Sequence, residues 1–137
     1  MGRTVRLDRA VNSTVNEFNM CHLCGLPTNH RSSLRYVADT GTRFLLMALP
    51  LFAGCDERLD YTITGLNSNC FRAAGSLWKL CGAVMHQDQT IADGHYTCWV
   101  RWRDQWMLLS DNAVLQQLKK TPALRGCQLL SFERIAN

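Results

Sequence analysis

At 137 residues the chain has room for one compact domain, and 47% apolar residues suffice for a single core, which excludes wholesale disorder. The net charge of +4 is scattered; Arg3, Arg6 and Arg9 form the densest basic cluster, and no basic stripe with interleaved aromatics marks a nucleic-acid partner. The longest apolar run, Phe44 to Ala53, is interrupted by Pro50 and is too short to span a bilayer, so no membrane partner is expected. The seven cysteines follow a start, residues 1–20, that is too polar for a secretory signal. Reduced thiols in the cytoplasm or nucleus are therefore expected, with metal binding or catalysis as their other uses. Gly2 is followed at position 6 by Arg, where a myristoylation signal needs Ser or Thr, so no lipid anchor is expected.

In chain order, residues 1–20 read as a polar lead-in with a short helix or strand near Val11 to Phe18. Cys21-His22-Leu23-Cys24-Gly25 is a CxxC knuckle turning at Gly25, with further turn chemistry from Pro27 to Arg31. Residues 34–38 and 44–52 are strand candidates, the second a solid apolar block suited to burial. Asp56 to Gly65 alternates at Leu59, Tyr61 and Ile63 and ends in a Gly-Leu-Asn-Ser-Asn loop.

The second half is more regular. Leu77 to His86 predicts a strand, Gln87 to Gly94 a polar loop, and His95 to Trp102 a strand of aromatic and β-branched residues. A turn at Arg103-Asp104-Gln105 leads to a paired strand from Trp106 to Leu109. One or two helical turns are expected over Ala113 to Lys120, and a last strand over Cys127 to Arg134. The expected architecture is α+β, mainly antiparallel sheet with few helices.

Gly94-His95-Tyr96-Thr97 carries the first chemical signal. A histidine opening a strand after a glycine-ended loop can be presented at a sheet edge, and its ordinary pKa near 6.5 suits a general base. What surrounds it is more specific: Val84-Met85-His86 upstream, Trp106 and Ser110-Asp111-Asn112-Ala113-Val114 downstream, and a closing Leu129-Leu130-Ser131-Phe132-Glu133-Arg134. With Trp78, Leu80 and Val100, this order resembles the C-terminal, His-box portion of the ubiquitin-specific proteases, which are papain-like cysteine peptidases acting as deubiquitinases. Residues 78–135 carry the resemblance, within a partial catalytic domain spanning 21–137.

The resemblance implies a partial papain-like fold with an antiparallel palm, ubiquitin or a ubiquitinated protein as partner, and thiol-dependent hydrolysis of the isopeptide bond after ubiquitin's terminal glycine. It makes His95 the base and places Ser110 at the position that orients the imidazole. A hydroxyl can accept from the imidazole N–H, but it cannot neutralise an imidazolium; Asp111, next in the chain, is the candidate for that charge. Asp93, Gly94 and Tyr96 are the substrate-binding candidates, Gly94 because a Cβ there would obstruct ubiquitin's Gly-Gly tail.

The family's nucleophile box has no counterpart upstream. Its nearest echo is Gly65-Leu66-Asn67-Ser68-Asn69-Cys70-Phe71, with Cys70 as candidate nucleophile if Cys70 to Ala74 begins a helix whose terminus favours the thiolate. The chain by itself is therefore expected to be inactive: a fragment, a short isoform or a degenerate copy. The alternatives are a non-catalytic module that binds ubiquitin or another partner, and a compact protease using Cys70 and His95. Cys21 and Cys24 resemble half of the family's four-thiolate zinc finger; Cys55, His22 and His30 could complete it only at unconvincing spacing, and no other cofactor is implied. A palm without its usual cover is also expected to self-associate through exposed apolar edges.

Overall fold

The computed structural model describes residues 2–10, 14–33, 38–53, 57–88, 90 and 93–136. Its elements are β1 (Arg3–Arg6), α1 (Leu7–Ala10), β2 (Thr14–Met20), β3 (Pro27–Ser33), β4 (Phe44–Ala48), β5 (Phe52–Ala53), β6 (Glu57–Arg58) and β7 (Tyr61–Thr64). They continue with β8 (Cys70–Ala73), β9 (Ser76–Gln87), β10 (His95–Trp102), β11 (Gln105–Ser110), β12 (Ala113–Leu118) and β13 (Cys127–Ala136). The principal sheet runs β12-β11-β10-β9-β13-β4, with β8 also paired to β9. Every pairing in it is antiparallel. The β1–β7 pair, by contrast, is parallel.

The expected α+β class is therefore corrected to nearly all β: among the described residues the only helix is the four-residue α1. Ala113 to Leu118 is a strand rather than helical turns. Asp111, at a φ of 48°, turns the chain so that Ala113 pairs with Ser110, and the ladder of β11 overrides a helix-tolerant sequence. The apolar block at 44–52 also divides, into β4 and β5. Pro50 has no N–H to donate to a ladder, and its carbonyl instead accepts from the Tyr61 hydroxyl at 3.0 Å. Most of the strand expected at 34–38 lies outside the described residues.

The hairpins explain why the strands stop where they do. Ala74 and Gly75 join β8 to β9, and Arg103 and Asp104 join β10 to β11. All four have positive φ, which matches a two-residue hairpin connection to the twist of its strands. Irregular register between Ser131 and Phe132 lets Phe132 pair with Leu80, and Leu130 with Ala83. These four side chains are buried together with Trp78, Trp99, Trp106 and Cys127, packed beneath Leu7, Tyr61, Ile63, Phe71 and Leu124. Phe71 meets Phe132 edge to face at 4.8 Å. The Trp78 indole N–H is satisfied by the Ala73 carbonyl at 2.8 Å. Among the described residues, no helix is long and apolar enough to cross a membrane.

Candidate active site at the His95 end of the sheet

His95 opens β10 and pairs in register with Gln87 at the end of β9. Across the β10–β11 hairpin, Cys98 pairs with Leu109, which sets Ser110 diagonally opposite His95 on the same face. The two side chains meet: His95 Nε2 lies 2.6 Å from Ser110 Oγ. With Nε2 donating to the hydroxyl, Nδ1 is the nitrogen left to take up a proton. The imidazole itself is exposed at the sheet's end. Such a hydrogen bond can fix the tautomer and orientation of an imidazole.

Asp111 is exposed at the tip of the β11–β12 turn, and among the described residues no hydrogen bond or ion pair joins it to His95. Tyr96, 51% exposed, points to the other side of β10, where its ring contacts His86 at 4.8 Å. Asp93 uses its backbone, its N–H donating to Thr90 Oγ1 at 3.3 Å.

Gly94 has an internal reason to be glycine: a Cβ there would lie 2.1 Å from His86 Nε2. His86 is 2% exposed and is held by Arg58. Arg58 Nη1 approaches His86 Nδ1 at 3.2 Å, and its Nη2 donates to the His86 carbonyl at 2.7 Å. Arg58 also donates to the Asp88 carbonyl. A guanidinium can only donate, so Nδ1 is the acceptor, and the proton of a neutral His86 sits on Nε2. Among the described residues that atom, buried against Gly94, has no hydrogen-bond partner. Arg58, His86 and Gly94 thus support the loop that leads into His95. His86 belongs to the motif, but its link to Arg58 spans 28 positions, and no local signal announces such a contact.

A cavity of about 580 Å³ opens beside this support. Arg58, His86, Thr97, Trp99, Leu108 and Arg125 contribute to its walls. Thr97 and Trp99 follow His95 at steps of two in β10, so they share its face of the sheet. Arg125 pairs with Asp60 through two bonds of 2.8 and 2.7 Å, which hold the Asp60 carboxyl below its ordinary range.

Cys70 lies elsewhere. Ser68 and Asn69 have φ of 49° and 64°, and the backbones of Asn67 and Cys70 exchange two hydrogen bonds, so Cys70 closes a tight turn and starts β8. Ala74, also at positive φ, ends that strand where the expected helix would have continued. Cys70 pairs with Lys79, whereas His95 pairs with Gln87, eight positions further along β9. At ~3.3 Å per residue, the two stand roughly 26 Å apart along the sheet. The juxtaposition that a compact Cys70–His95 protease requires is absent, and the expected helical setting of Cys70 is overturned. Among the described residues, no cysteine shares a hydrogen bond with His95.

Cys21 and Cys24 stand at the tip of the β2–β3 hairpin, and no cluster of three or more metal-ligating side chains occurs among the described residues. Cys55 lies outside them.

No protein-family model and no curated protein matches the chain. Solved structures do. Over 99% of its length the chain superposes on a chain of the SAGA DUB module Ubp8/Sgf11/Sus1/Sgf73 bound to monoubiquitin, at a TM-score of 0.57 and 13% identity. Its fold is similar to that of a deubiquitinase module. A form of that module lacking the Sgf11 zinc finger gives 0.56 at 14% identity, and one bound to ubiquitin aldehyde 0.52 at 14%. In each case the chain spans 36% of the length of the matched chain.

Proposed function

We propose that the chain is the histidine-bearing palm of a deubiquitinase-type cysteine protease fold, and that alone it binds ubiquitin without cleaving it. The 2.6 Å contact between His95 Nε2 and Ser110 Oγ, within a fold similar to a ubiquitin-bound deubiquitinase module, carries this reading. Given a thiol opposite Nδ1, His95 would take the thiol proton. The thiolate would attack the isopeptide carbonyl, and the imidazolium would return the proton to the departing lysine amine. Ser110 holds the ring through that cycle. A hydroxyl supplies orientation but no countercharge, which makes this pair a weaker partner for an imidazolium than a histidine–carboxylate pair.

The sheet end around Gly94 and Tyr96, with Asp93 ahead of them, is the surface proposed to meet ubiquitin's tail. A domain of this kind works in the cytoplasm or nucleus, where ubiquitin and reduced thiols coexist.

Titrating labelled ubiquitin with the purified chain, alongside a ubiquitin electrophile probe and a ubiquitin-amide substrate, tests both halves of the reading. Saturable binding that weakens in Tyr96→Ala, without turnover or adduct, is the expected result. No binding at high ubiquitin concentration would overturn the palm reading. An adduct on Cys70 that disappears in His95→Ala would instead establish a complete small protease.

A further inference from the structure

The principal sheet ends on one side in β12. Among the described residues that strand pairs with β11 alone, and all of its residues but Leu118 are exposed. Its outer edge therefore offers a row of backbone N–H and C=O groups to another strand. Irregular register between Leu108 and Leu109 leaves Leu115 opposite no residue of β11, as an extra residue at the middle of the strand. Val114 and Leu115, side by side there, are 51% and 57% exposed.

Charge is divided between the two ends of this edge. Asp111 stands in the turn before β12, Lys119 and Lys120 follow the strand directly, and all three are exposed. An antiparallel pairing of β12 with a copy of itself has a two-fold axis, which can lie between Leu115 and Gln116. Counting outward from that axis, each Asp111 stands level with the other copy's Lys120, and each Asn112 with its Lys119. The same axis gathers Val114 and Leu115 of both copies. A parallel pairing would instead set Asp111 beside Asp111 and lysines beside lysines, and like charges directly opposite are destabilising. The strand at the sheet's other edge, β4, carries no such division: Phe-Leu-Leu-Met-Ala is uncharged throughout.

We propose that two copies of this chain associate reversibly by pairing β12 with β12 in antiparallel fashion, so that the sheet continues across the axis. Backbone hydrogen bonds and the gathered apolar side chains hold the two strands together. The Asp111–lysine pairs set direction and register: exposed ion pairs add little affinity, but they discriminate against the wrong orientation. A six-residue edge makes a small interface, so the dissociation constant is expected in the weak range, roughly 0.1–1 mM. This association stands independently of the ubiquitin reading.

Sedimentation of the full, reduced chain at concentrations up to about 1 mM measures the association, and hydrogen exchange on the same samples locates it. A concentration-dependent dimer is expected, with amide exchange slowed across Ala113–Leu118 and unchanged in β4. Leu115→Lys puts like charges beside the axis and should raise the dissociation constant at least about tenfold. Asp111→Lys should raise it about threefold to tenfold at low salt, and much less at high salt. Adding Lys119→Asp and Lys120→Asp to Asp111→Lys should restore association, because the reversed charges again complement one another across the axis. Tryptophan fluorescence reports the principal sheet, because all four tryptophans lie in β9, β10 and β11; an unchanged spectrum shows that the variants fold. A chain that stays monomeric throughout would overturn the proposal. So would a dimer insensitive to Leu115→Lys, or one that protects β4 in place of β12. A monomer whose β12 amides slow only when ubiquitin is added would overturn it and give the edge to that partner.

Discussion

Phe132 in β13 and Phe18 in β2 are both aromatic residues in antiparallel strands, yet the first is 0% exposed and the second 69%. The principal sheet covers one face with a continuous core, from Trp78 and Leu80 through Trp99 and Trp106 to Phe132. Among the described residues the β2–β3 hairpin pairs only with itself and ends in the Cys21–Cys24 turn. Hydrogen bonds within a ladder add little net stability, because water offers the same bonds to the open chain. Burial separates the two regions: the sheet encloses a core, whereas the described apolar side chains of the hairpin are exposed.

The largest expected effect lies in the sheet. Phe132→Ala should cost about 3–5 kcal/mol in urea unfolding, by losing apolar burial and leaving a cavity against Phe71. Phe18→Ala should change stability by less than about 0.5 kcal/mol, because it removes an exposed ring. Equal losses at the two positions would break the comparison. Next is Gly94→Ala. Its Cβ would collide with His86 Nε2, backed by Phe52 and Arg58, so a destabilisation of about 1–3 kcal/mol is expected. The His95 ring signals in NMR should move with it, through the loop, while those of His22 in the hairpin stay in place.

Alkaline pH sharpens the contrast through Cys127. Burial pushes its thiol from an ordinary 9.0 up to about 12. Between those values the unfolded chain releases a proton that the folded chain keeps, so stability should fall as pH rises from about 9 to about 12. The fall should be shallower in Cys127→Ala. Tyr61, also raised by burial, adds in the same direction above its ordinary 10.0. Cys21 moves the opposite way, so ionising the knuckle should not unfold the sheet. The smallest stability effect is expected for Ser110→Ala, within about 0.5 kcal/mol because the pair lies at an exposed sheet end. Its signature is instead a faster-flipping His95 ring that loses the Nε2 bond.

Much of the principal sheet was legible because period-two alternation survives in the linear chain. His95 to Trp102 matches β10 to the residue, and the turn at Arg103-Asp104 follows where expected. The resemblance pointed to Ser110 beside His95, and the short β10–β11 hairpin makes the two diagonal neighbours. The Arg58–His86 bracket was not, because a half-buried guanidinium reaching back 28 positions leaves no periodic trace. Nor was β12, whose Ala-Val-Leu-Gln-Gln-Leu has no strong strand preference and becomes extended by pairing with β11.

By itself, then, the sequence determined β9, β10, β11 and β13, the turn at Arg103-Asp104 and the candidate base, since these depend on side-chain alternation and local backbone preference over a few residues. It pointed to a turn at β3, the start of a helix at β8 and helical turns at β12, all of which are strands. Tertiary structure alone decided which end of the sheet each chemical group occupies. Cys70 and His95 are 25 positions apart in the chain, close enough to suggest a pair. Register along β9 sends them to opposite ends, because the position of a residue on a strand is set by the partner it hydrogen-bonds with. The same logic places Cys21 and Cys24 at a hairpin tip: the β2–β3 ladder that positions them ends there, and among the described residues no other strand pairs with it.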